Sequence, residues 1–203
     1  MALLSLADYQ SQWLGGDTSD ATARQALLDG LAEEIARWLG YPATSTGAYT
    51  VESASYVQIE GENPFSPFYG STHVRLAAAP VSAVSEVMIV ADGDFSAGTA
   101  LTSDDYQTRD LLSMDRARVQ LTGVSITDGD AIRVSYTAGH SSIPAGLKRA
   151  FGDYVFWADL LRGRRGEASQ ASTGRVTKSY RPEDMPPDIA ARLMAYRAPG
   201  GRL

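Results

Sequence analysis

The chain has 203 residues, 44% hydrophobic and 21% charged, a balance that supports an apolar core of its own. It contains no cysteine, which excludes disulfides, thiolate zinc sites and thiol catalysis. The net charge is −6 but unevenly spread: residues 162–203 hold nine Lys/Arg against four Asp/Glu, a basic tail on an acidic body.

The opening "MALLSLADYQSQWL" lacks the basic region of a signal peptide. No apolar run reaches the roughly 20 residues that span a bilayer, so no membrane partner is expected. Ser5 followed by Asp8 predicts a helix over 5–14, because a serine oxygen caps an amide three residues on and an acid suits the positive helix end. Leu6, Tyr9, Trp13 and Leu14 share its apolar face, and Gly15-Gly16 stops it. A second helix is predicted over 20–39, with Asp20 as its cap. Leu27, Leu28, Leu31, Ile35, Trp38 and Leu39 recur at helical spacing, and Arg24, Asp29, Glu33 and Arg37 form a face expected to meet solvent or a partner.

Between residues 47 and 139 the period changes to two. "AYTVESASYVQIEG", "HVRLAA", "VSEVMIVADG", "RVQLTG" and "AIRVSYTAG" read as strands, with hairpin turns at Asp92-Gly93 and Asp128-Gly129. Residues 61–71, "GENPFSPFYGS", interrupt them as an exposed aromatic loop. Pro144 opens a third helix over 144–162, with Leu147, Ala150, Phe151, Tyr154, Val155, Trp157, Ala158 and Leu161 on a broad apolar face. "RGRRGEASQASTG" reads as a flexible linker, "RVTKSY" as a short strand, and "DMPPDIAARLMAYR" as a last helix carrying Ile189, Leu193 and Tyr196. Segregated helices and strands imply an α+β fold: a helical body, an antiparallel β-rich middle, and a C-terminal extension ending in a short helix. The expected organisation is one domain over 1–165, then a segment 166–203 that does not pack on the same core.

"VSYTAGHSSIP", residues 134–144, looks most like an enzyme, with His140 beside Ser141 and Ser142. A base and nucleophile adjacent in sequence rarely reach the required geometry. Gly139 permits a left-handed turn, a serine ahead of the helix suits its cap, and Pro144 sets the first turn, so the stretch reads as scaffold. Phosphate-loop and nucleophile-elbow motifs do not occur. His73 and His140 alone cannot supply a zinc site. The "DGDFSAG" stretch from Asp92 departs from a calcium loop at Ala97 and Ser103. The acidic pairs Glu33-Glu34 and Asp104-Asp105 read as solvated surface. Arg162, Arg164 and Arg165 suit phosphate, but no DNA-reading motif accompanies them. No catalytic residue, cofactor or metal is expected, and an interaction protein is the default class.

The order of these elements resembles the head–tail connector (head-completion, or adaptor) proteins of tailed phages and phage-like gene transfer agents. The resemblance is carried by "LSLADYQSQWLGG", "RQALLDGLAEEIARWLGYP", "LAAAPVSAVSEVMI" and "IRVSYTAGHSSIPAGLKRAFGDYVFWADLLRG". Within them stand Pro80, Val81, Val84 and Val87, then Val134, Tyr136, Ala138, Gly139, Ile143, Pro144, Leu147, Lys148 and Ala150. His140 departs from the family pattern, where an aromatic usually follows the Ala-Gly pair.

The resemblance implies a non-catalytic virion protein, made in the host cytoplasm, that forms a ring, typically of twelve copies. The ring sits under the portal, continues the double-stranded DNA channel without sequence-specific binding, and docks a stopper or tail-completion protein. The loop 61–71 and the C-terminal extension exceed the compact members of the family, so their contacts are read from this chain's own residues. Candidates for the portal contact are Arg175, Lys178, Arg181, Arg192, Tyr196 and Arg197; candidates for the channel lining are Asp29, Glu33 and Glu34; candidates for the stopper or tail contact are Phe65, Phe68 and Tyr69. Another neck or tail-completion component, a DNA-binding module and an enzyme using His140 are the alternatives.

Overall fold

The computed structural model describes residues 3–60, 73–90, 98–113, 116–122, 124, 130–168 and 185–198, with backbone alone over 162–168. The chain divides into two compact units, Met1–Leu39 with Ser142–Tyr196, and Gly40–Ser141 with Arg197–Leu203. The sequence suggests one domain over 1–165 and a separate segment 166–203, and this division runs across both. The fold is α+β, with every strand pair antiparallel.

The helical unit contains α1 (Leu6–Trp13), α2 (Ala21–Trp38), α3 (Ala145–Ala168) and α4 (Pro187–Met194). Helix α1 starts as its sequence dictates: the Asp8 N–H donates to Ser5 Oγ at 3.1 Å. It stops at Gly15 and Gly16, both at positive φ, where the Gly16 N–H reaches back to the Gln10 carbonyl at 2.9 Å. Tyr9, Leu28, Leu31, Ile35 and Leu39 are buried, as are Leu147, Phe151, Tyr154 and Val155 from α3. Such side chains each contribute about 1.5–3 kcal/mol on leaving water, which makes this seam the main source of the unit's stability.

Four expectations are corrected here. Asp20 stands at the cap position of α2 but in a left-handed conformation, with no capping bond from its side chain. Arg24 does not lie on the solvated face of α2. Its Nε donates to Asp159 Oδ2 on α3 at 3.2 Å, and each side chain is 11% exposed. The same guanidinium bonds Asp17 at 3.1 Å and the Ser19 carbonyl at 2.6 Å, closing the loop before α2. Finally, α4 packs on α3 with Ile189 and Leu193 buried, so the C-terminal helix does not stand off the core. Helix α3 also continues past residue 162 to Ala168, overriding Gly163 and Gly166, because each helical glycine costs only about 1 kcal/mol.

One carboxylate ties three helices together. Asp153 on α3 accepts from Trp13 Nε1 at 2.8 Å and from the Arg192 guanidinium of α4 at 2.6 Å. Burial raises its pKa, but the two donors outweigh burial and hold the carboxyl below its ordinary range. Trp13 in turn lies over Gly152, where a Cβ would run into the indole ring.

The β unit holds a four-stranded sheet in the order β1-β7-β3-β4 and a three-stranded sheet in the order β2-β6-β5. The strands are β1 (Ala54–Glu60), β2 (His73–Arg75), β3 (Val81–Val90), β4 (Thr99–Ala100), β5 (Tyr106–Arg109), β6 (Arg118–Leu121) and β7 (Ala131–Ala138). Tyr56, Val87, Val134 and Tyr136 from one sheet and Val74, Val119 and Leu121 from the other share one apolar core. Strand β1 begins at Ala54, later than the period-two pattern suggests, and the polar strands β4 and β5 have no counterpart in that pattern. The hairpin dipeptides Asp92-Gly93 and Asp128-Gly129, and the short strand expected in "RVTKSY", lie outside the described residues. Among the described residues, no helix is long and apolar enough to cross a membrane.

Candidate functional site

The enzyme-like stretch resolves into backbone geometry. The His140 N–H donates to the Val51 carbonyl at 2.9 Å, and the His140 carbonyl accepts from Ser53 at 3.1 Å. This bridge brings the end of β7 against residues 51–53. Gly139 has φ 100°, and a Cβ there would collide with the Glu52 carbonyl. The glycine is therefore required twice over, by its left-handed conformation and by close approach of another backbone. Burial pushes the half-buried His140 below the ordinary histidine range. Ser141 and Ser142 are exposed. Among the described residues, no three His, Asp or Glu side chains gather as a metal-ligand set.

The acidic residues of α2 lie one turn apart on one helix. Asp29 and Glu33 are exposed, while Glu34 is half-buried. Asp29 accepts from Gln25 Nε2 at 2.8 Å, and Glu33 pairs with Arg37 at 3.0 Å. These are surface contacts between long side chains, each contributing well under about 1 kcal/mol, so they leave the carboxylates available to the solvent side.

Of the basic tail residues, Arg192 is committed within the chain, to Asp153 and, at 3.4 Å, to Asp188. Tyr196 is half-buried, with its hydroxyl against Gly146 at the start of α3. Arg197 is half-buried in the other compact unit. Arg175, Lys178 and Arg181 lie outside the described residues, as do Phe65, Phe68 and Tyr69.

Sequence reasoning misses a different surface. Among the described residues, the exposed large apolar side chains are Val57, Ile59, Leu112 and Leu160. Val57 and Ile59 point out of β1 while Tyr56 and Gln58 point in. Period-two alternation alone would favour the opposite face for the two aliphatic residues. The inward Gln58 is held by the Arg75 carbonyl at 2.8 Å and the Ala77 N–H at 2.9 Å, which offsets the burial of its amide.

No protein-family model matches the sequence, and no curated protein matches it. Solved structures match it in fold. One is a chain of the "Neck of empty GTA particle computed with C6 symmetry", with TM-score 0.59 and 18% identity over 99% of this chain and 91% of that one. Another is a chain of the "Neck of native GTA particle computed with C12 symmetry", with TM-score 0.51 and 18% identity over 98% of this chain and 89% of that one. The similarity is one of fold and spans both compact units: this chain has the fold of a neck protein from gene transfer agent particles.

Proposed function

We propose that this chain is a structural protein of a phage-like particle neck, an adaptor that assembles as a ring beneath the portal. The observation that carries the reading is the fold agreement over 99% of this chain with a particle-neck protein. The ring, of twelve copies in this reading, continues the channel for double-stranded DNA and offers its far side to a stopper or tail-completion protein. The work of such a part is geometric, and it needs neither a catalytic residue nor a cofactor.

The chemistry of the surfaces supports these roles. DNA must pass through the neck without being held. Each Lys/Arg–phosphate contact adds salt-sensitive affinity, so an acidic lining favours passage. Asp29 and Glu33 on the exposed face of α2 are the channel-lining residues of this reading, with Glu34 beside them. The basic C-terminal region, with Arg175, Lys178, Arg181, Arg192, Tyr196 and Arg197, meets the portal. The aromatic residues Phe65, Phe68 and Tyr69 meet the stopper or tail.

The test is genetic and visual. Particles made without this chain should accumulate as DNA-packaged heads lacking tails, and supplying the chain should restore tail joining. Tailed particles that form normally in its absence would overturn the proposal.

A further inference from the structure

The four-stranded sheet of the β unit has two unlike edges. At one edge lies β1, with Val57 and Ile59 exposed by 49% and 42%. The Ser45 N–H donates to the Ser55 carbonyl at 2.8 Å, so Ser55 turns its backbone away from β7. Alternate residues of an antiparallel strand face the same side, so Val57 and Ile59 also direct their N–H and C=O groups to that edge. No strand among the described residues pairs there.

The opposite edge is built differently, with β4 paired to Met88 and Ile89 of β3 and residues 110–113 flanking the start of that strand. The Val81 N–H of β3 donates to the Leu111 carbonyl at 2.7 Å, which lays residues 110–113 along the side of β3 away from β7. Leu111 tucks against the core, and Leu112 projects with 82% exposure. The projection is fixed by a tight turn: Asp110 sits at φ 52°, and its carbonyl accepts from the Ser113 N–H at 2.8 Å. Next to Leu111 lies an open hollow of about 530 Å³, with Ala83, Val84, Tyr106 and Leu111 on its apolar part and Ser103, Gln107, Thr108 and Arg109 on its polar part.

We infer that the Val57–Ile59 edge of one copy docks against Leu112 and the adjoining hollow of a second copy of this chain. A closed ring requires one surface of each subunit to meet a different surface of the next. Opposite edges of one sheet satisfy that requirement and cannot meet within a single molecule. The two faces are also complementary in character. Aliphatic side chains and outward backbone groups lie on β1, and an apolar knob with a concave seat lies on the other edge. An exposed apolar strand edge is a hazard for a monomer and suits a chain that is covered on assembly. The closure into a ring rests on the adaptor reading above; the edge-to-edge contact is read from the β unit itself.

The absence of cysteine makes a direct test possible. The full chain is made with Val57→Cys, with Leu112→Cys and with both, then oxidised with diamide at its highest soluble concentration. Within one molecule the two positions lie about three strand spacings apart, or about 14 Å. That exceeds the roughly 7 Å Cα separation a disulfide can bridge, so any link between residues 57 and 112 joins two copies. The double variant should give a ladder of covalent oligomers, and peptide mass spectrometry should find the 57–112 link. Each single variant should stop at the dimer. Leu112→Asp alters an exposed residue that folding does not need, and it should weaken self-association roughly tenfold or more. Links only between like positions, a chain that remains monomeric, or unchanged association of Leu112→Asp overturns the contact. Imaging of particle necks separates the two readings. A ring without 57–112 links rejects this interface and keeps the adaptor, whereas a chain found outside the neck rejects the adaptor.

Discussion

Gly139→Ala tests whether the "AGH" turn is scaffold. At φ 100° an alanine costs about 1–2 kcal/mol in backbone strain. Its Cβ would also overlap the Glu52 carbonyl, which is backbone and cannot swing aside. Relief requires residues 51–53 to move away from β7. That movement breaks the bonds of His140 with Val51 and Ser53, each contributing about 1 kcal/mol. The lower entropy of the unfolded alanine chain offsets about 0.4–1 kcal/mol in the opposite sense for a compatible site, and here it adds no folded-state relief. The net expectation is a loss of about 3 kcal/mol, or a fall in Tm of roughly 10 °C for a chain of this size. Urea denaturation followed by circular dichroism measures it. A loss below about 1 kcal/mol would refute the close-approach reasoning.

Four further outcomes are expected. Asp153→Asn should cost about 1 kcal/mol at neutral pH, discounted because Arg192 is partly solvated. The folded carboxyl lies below its reference of 3.8, so this stability is present above that pH and is lost as pH falls through the folded pKa, where the variant and the parent should converge. His140→Gln should flatten a different limb. The folded imidazole titrates below 6.5, so the unfolded chain binds the proton first, and the parent loses stability as pH falls from about 6.5 through the lowered value. Truncation after Gly174 removes α4 and uncovers its buried Ile189 and Leu193 contacts, so the helical unit should lose about 3 kcal/mol or more in chemical denaturation. Asp29→Lys with Glu33→Lys should leave folding intact and give DNA binding that steepens as salt is lowered, read by fluorescence anisotropy; equal, weak binding by parent and variant would count against the channel assignment.

The helical faces were the most legible part of the chain. Leu28, Leu31, Ile35 and Leu39, like Leu147, Phe151 and Tyr154, announce themselves because one period governs both sequence and burial. The glycine stops at residues 15, 16 and 139 were legible for the same local reason, since a positive φ selects the residue directly. What depends on distant partners was not. Arg24 looks like a solvated arginine until Asp159, far along the chain, supplies its acceptor. The polar tie between α4 and α3 joins Asp153 and Arg192, which are 39 residues apart. The outward set of Val57 and Ile59 follows from the bonds that hold Gln58 inward, which alternation cannot foresee. The two-residue strand β4 and the polar strand β5 carry too little apolar signal for a period to register.

The most direct measurement of the central claim is an averaged image of the particle neck with this subunit labelled at its C-terminus. The adaptor account predicts a closed ring of this chain around the DNA channel, touching the portal on one side and the stopper or tail on the other. Label found only elsewhere in the particle, or a neck ring built without this chain, would contradict it.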